Sequence, residues 1–62
     1  MTPNELRKIR QRLRWTQEKL ANAVGVARNS VARWERGEMA ISEPAARLIR
    51  MIAAQNKLKL EE

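Results

Sequence analysis

The 62-residue chain contains no cysteine, histidine, aspartate, tyrosine or phenylalanine, and its aromatic side chains are Trp15 and Trp34 alone. Each absence removes a class of chemistry. Without a thiolate, an imidazole or paired carboxylates there is no ordinary zinc or iron site, no thiol nucleophile, and no base to activate Thr2, Thr16, Ser30 or Ser42. No catalytic residue, metal or cofactor is therefore expected, and a binding module is. With no disulfide or metal to staple it, a chain this short buries only about 60% of the surface its unfolded form exposes. Its stability must come from helix packing, from a partner subunit, or from both. Lack of cysteine is compatible with a reducing cytoplasm. No apolar run approaches the roughly 18 residues of a membrane span, and Met1-Thr2-Pro3-Asn4-Glu5 lacks the apolar stretch of a signal peptide, so a cytoplasmic location is expected.

What is abundant is positive charge, 13 Lys plus Arg against 7 Glu, for a net of +6. A balance of that size on one small domain points to a polyanionic partner. It is concentrated, because residues 7–36 hold nine Lys plus Arg and two Glu, a local net of +7.

Apolar residues recur at helical spacing through most of the chain, so the expected class is all-α. Thr2-Pro3-Asn4-Glu5 can form a capping box ahead of a first helix with Leu6, Ile9 and Leu13 on one stripe. Thr16 caps a second helix, Gln17 to Val24, with Leu20, Ala21 and Val24 inward and Gly25 at its end. A third runs from about Arg28 to Arg36, with Ala27, Val31 and Trp34 as its apolar stripe and Gly37 as terminator. Ser42 caps a fourth, whose inward positions read as Ala45, Leu48, Ile49 and Ile52 and which frays near Ala54 to Asn56. The expected domain thus spans residues 1–55 as a compact four-helix unit. The tail, residues 56–62, alternates at Lys57-Leu58-Lys59-Leu60 and reads equally as a strand, a fifth helical segment, disorder or a dimer contact.

On the wheel of the third helix, at about 100° per residue, Arg28, Asn29, Ala32, Arg33 and Arg36 share one arc opposite Val31 and Trp34. Charged faces usually only solvate. Arg and Asn, however, are the side chains that pair bidentately with guanine O6/N7 and adenine N6/N7, and this helix follows another across a tight turn. A membrane-surface peptide would instead be one long amphipathic helix, so no membrane partner is expected.

The stretch from Thr16-Gln17 through Ala21, Gly25, Val31 and Trp34-Glu35-Arg36-Gly37 resembles the helix-turn-helix of lambda-repressor-like, Cro/CI-type DNA-binding proteins, and the likeness extends over roughly residues 4–53. The resemblance implies that Arg28 and Asn29 meet base edges, that Arg33 meets bases or a phosphate, and that Gln17 sits at a phosphate. It implies backbone contacts for Ser30 and for Arg36 with the Gly37-Glu38-Met39 loop, although Glu38 would repel a phosphate. It also pairs Arg10 with Glu35 inside the domain, which takes Arg10 off the DNA face. Three positions depart from the family pattern. Arg14 stands where a Gly is frequent, Ala27 replaces a Ser or Thr cap, and Trp15 replaces a Leu.

The function expected is sequence-specific binding of double-stranded DNA by a transcriptional regulator, with two copies on a pseudo-palindromic operator whose half-sites lie about 34 Å apart. A homodimer would use Arg47, Arg50 and Met51 or the Leu58 and Leu60 tail. The alternative is a protein-interaction module on the same fold, such as an antitoxin-like subunit or corepressor adaptor. Single-stranded RNA binding is disfavoured by the lack of stacking aromatics, and no small-molecule substrate is expected.

Overall fold

Local hydrogen bonding decides where three of the helices start. Thr2 Oγ1 accepts from the Glu5 N–H at 3.1 Å while Glu5 Oε1 accepts from the Thr2 N–H at 2.8 Å, closing the capping box. Thr16 and Ser42 accept from the N–H groups of Lys19 and Ala45 in the same way. In the computed structural model, which describes residues 1–57, these caps open α1 (Pro3–Leu13), α2 (Gln17–Val24) and α4 (Glu43–Gln55), while α3 (Arg28–Glu35) starts at Ala27 with no side-chain cap. No strand occurs among the described residues. Residues 58–62 lie outside them, and with them the strand, fifth-helix and dimer readings of the tail.

The helix ends repeat one device. In each of α1, α2 and α3 the chain turns back through a left-handed residue, and a main-chain N–H reaches a carbonyl five residues earlier: Trp15 to Arg10 at 3.1 Å, Val26 to Ala21 at 3.0 Å, Glu38 to Arg33 at 2.9 Å. Gly25 and Gly37 supply that residue after α2 and α3 at φ 89° and 76°. After α1 it is Arg14, at φ 60°, so the departure noted in the sequence is a side chain forced into a backbone region that disfavours it. Arg14→Gly should therefore stabilise the domain by about 0.5–1 kcal/mol in a denaturant titration, the relief of the left-handed penalty outweighing glycine's extra freedom when unfolded. An unchanged midpoint would show that Arg14 bears no strain.

Leu6, Ile9, Leu20, Ala21, Val31, Trp34, Ala45, Ile49 and Ala53 form one buried cluster, with Leu13, Trp15 and Val24 packed on its edge. α3 packs on α2 and α1, and α4 packs on α2. Three expectations need correction. α3 ends at Glu35, because Arg36 is its cap rather than its last residue. Ala27 is exposed, since a residue in the turn ahead of a helix need not follow that helix's wheel. On α4 the buried face is Ala45, Ala46, Ile49, Ile52 and Ala53, whereas Leu48 is only half-buried. Small alanines let α4 approach its neighbours closely, and the helix is turned so that Leu48 lies at the margin with Pro44 and Met51.

Candidate nucleic-acid interface

The exposed basic face begins at the uncapped end of α3. The side chains of Arg28 and Asn29 are exposed there and make no hydrogen bond or ion pair among the described residues. Their main-chain N–H groups, like those of Gln17 and Glu18 at the start of α2, point out of the helix ladder. Such ends attract an oxyanion. Ser30 and Ala32 are half-buried at the edge of the face, and Arg33 is half-exposed one turn beyond Arg28 and Asn29. An α-helix is about 10–12 Å across, which matches a major groove about 12 Å wide.

Arg36 is differently placed. Its Nε and Nη2 donate to Glu38 Oε2 and Oε1 at 2.9 and 3.1 Å, and Arg33 Nε lies 4.0 Å from the same carboxylate. The two cations that close the face therefore share one acid.

The face is held by a second set of charges behind it. Glu35, on the inner side of α3 and 4% exposed, accepts from Arg10 Nε at 2.6 Å and Arg10 Nη2 at 3.0 Å. Arg10 Nη1 also donates to the Trp15 carbonyl at 3.0 Å, so one guanidinium ties α1, the turn into α2, and α3. The pairing implied by the family resemblance is present. Gln17 Nε2 donates to Glu35 Oε1 at 3.1 Å, so this side chain is half-buried and oriented by α3 rather than loose in solvent. Burial alone would raise the Glu35 pKa, but the hydrogen bonds from Arg10 and Gln17 and the nearby charges of Arg10 and Arg7 hold it below its ordinary value.

Arg7 was not anticipated as part of this set. Its guanidinium donates to the main-chain oxygen of Glu35, at the end of α3, and to Asn4 Oδ1. The i, i+3 spacing of Arg7 and Arg10 on one edge of α1 was the available signal. Two of the nine cations in residues 7–36 thus brace the fold. Trp15 is likewise engaged, half-buried against the core with Lys19 Nζ 5.1 Å from its ring centroid.

A family model for helix-turn-helix proteins matches residues 6–62. The chain belongs to the helix-turn-helix family. It is of the Cro/CI type, whose domains bind DNA and are not enzymes. No curated protein and no solved structure gives a significant match. In this helix-turn-helix protein α2 and α3 are the paired helices, joined through Gly25. No helix among the described residues is long and apolar enough to cross a membrane.

Proposed function

We propose that the protein is a sequence-specific binder of double-stranded DNA acting as a cytoplasmic transcriptional regulator, with α3 in the major groove. The observation that carries this reading is the pair Arg28 and Asn29, exposed and unengaged at the uncapped end of α3 in a helix-turn-helix chain. They are the base-reading residues, and Arg33 follows one turn on. Ala32 and Ser30 line the contact, Ser30 against backbone. Gln17 holds a phosphate at the α2 end, with one amide hydrogen still on Glu35. Arg36 takes a flanking phosphate.

One helix reads only a few base pairs, so two copies on a pseudo-palindrome are expected. The surface for a second copy is α4, where Met51 is 57% exposed beside Pro44 and Leu48.

Selection of bound duplexes from a random pool, followed by titration of variants, tests the reading. Arg28→Ala or Asn29→Ala should relax preference at one base position and cost about 1–3 kcal/mol, whereas Gln17→Ala should weaken all sequences nearly alike. A pool without a motif, with Arg28→Ala altering only the salt slope, would refute readout by α3. Sedimentation of the same complexes counts the copies, and one chain per selected duplex would remove the dimer.

A further inference from the structure

The recognition face carries its own counter-ion. The main chain at the end of α3 closes with Gly37 N–H on the Trp34 carbonyl at 3.1 Å and Glu38 N–H on the Arg33 carbonyl at 2.9 Å. This closure commonly brings an apolar pair together at the two positions occupied here by Arg33 and Glu38. A carboxylate is therefore delivered to the face by the backbone itself. It meets the guanidinium fork of Arg36 with both oxygens, at 2.9 and 3.1 Å, in the way a phosphate would meet it, and stands 4.0 Å from Arg33 Nε. The hydrogen bond from Arg36 holds the Glu38 carboxyl below its ordinary value, against slight desolvation and with help from the charges of Arg36 and Arg33, so it is ionised at neutral pH.

We infer that Glu38 is a built-in competitor for the phosphate backbone, occupying Arg36 and screening Arg33 in the free protein so that DNA must displace it to gain those contacts. The inference rests on the DNA-binding reading above and adds to it a residue that sets affinity without setting sequence. Its reach is short. Arg28 and Arg36 are eight residues apart, about 12 Å along a helix, and exposed charges at that range are largely screened at about 0.1 M salt. Base readout by Arg28 and Asn29 is accordingly unaffected. The competition is also reversible, because an exposed ion pair is weak and a polyphosphate lattice can outbid it as counter-ions are released.

The test is Glu38→Gln, measured by titrating the full chain with a random-sequence duplex and with the selected duplex at several salt concentrations. The expected result is binding tighter by about three- to tenfold at 0.1 M salt on both duplexes, with a log–log salt slope steeper by about 0.9 for one added phosphate contact. The base preference should stay the same. Glu5→Gln at the start of α1 makes the same change in net charge at a capping-box position that glutamine also fills, and should do much less. In an Arg36→Ala background the Glu38→Gln gain should largely vanish. Equal effects of Glu38→Gln and Glu5→Gln, or a gain that survives Arg36→Ala, would overturn the inference, as would parental affinity and slope in Glu38→Gln. In those cases the parent still binds duplex and only the competitor role falls. A parent that binds neither duplex would remove both readings.

Discussion

Glu35→Ala should destabilise the domain by about 3–5 kcal/mol, the cost of removing one partner from a buried, hydrogen-bonded ion pair. The carboxylate is 4% exposed and receives both nitrogens of the Arg10 fork and the amide of Gln17. Without it Arg10, whose side chain is 19% exposed, keeps only the Trp15 carbonyl among these partners. Stability of roughly 0.05–0.15 kcal/mol per residue gives a domain of this length about 3–9 kcal/mol, so a loss of this size removes from a third to all of it. Arg10→Met should act in the same direction by stranding Glu35. Replacing both partners with apolar residues should recover part of the loss, because no buried charge is then left unpaired. Urea titrations followed by far-UV circular dichroism measure all three; single variants that unfold at the parental midpoint would show the network to be dispensable.

The same network sets a pH response. The Glu35 carboxyl in the folded chain lies below the ordinary 4.5, so its contribution is fully present above that value and is lost as the pH falls through the folded value. Glu5, lowered chiefly by the Thr2 N–H of the capping box, and Glu38 shift in the same direction. Stability should therefore decline on acidification below about 4.5, and less steeply in Glu35→Gln.

Trp34→Ala is the second large effect, about 3–5 kcal/mol for truncating a buried tryptophan. Trp34 is 4% exposed in the cluster that joins α3 to α1 and α2, so its loss releases α3 from both supports. Trp34→Phe keeps an aromatic anchor and should cost distinctly less. Trp15 stays as an emission probe in either variant, and a Trp34→Ala midpoint close to that of Trp34→Phe would mean that α3 is seated by other contacts. Because a ligand that binds only the folded state adds stability, about 2.7 kcal/mol at a hundredfold excess over Kd, saturating duplex should partly rescue the folded signal.

These two predictions draw on different kinds of information. Trp34 was legible as an anchor from its spacing to Val31 and its place before Gly37, and the caps at Thr2, Thr16 and Ser42 were legible because each bond spans three residues. The exposed arc of Arg28, Asn29, Arg33 and Arg36 on α3 was legible for the same reason, since one helical wheel orders it. The Arg10 and Glu35 pairing came from family likeness rather than from any spacing, as 25 residues separate the two. For Arg7 on the Glu35 carbonyl the signal was its i, i+3 spacing from Arg10, whereas Gln17 on the Glu35 carboxylate had no comparable warning. Nor did the orientation of α4, where Ala46 and Ala53 are buried and Leu48 is left at the rim: a wheel orders the faces of a helix but does not say which one meets a neighbour.

By itself, then, the sequence determined what short-range chemistry can determine: four helices and their starts, the lack of cysteine, histidine and aspartate, and a basic face bearing Arg and Asn. Only the tertiary structure decided which cations are available on that face. Arg7 and Arg10 turn inward, Lys19 lies over the Trp15 ring, and Arg36 is met by Glu38. The physical reason is distance. Caps and wheels act within a turn or two, whereas the partner of a guanidinium is set by how helices far apart in the chain, or a backbone turn such as that at Gly37, bring an acid to it.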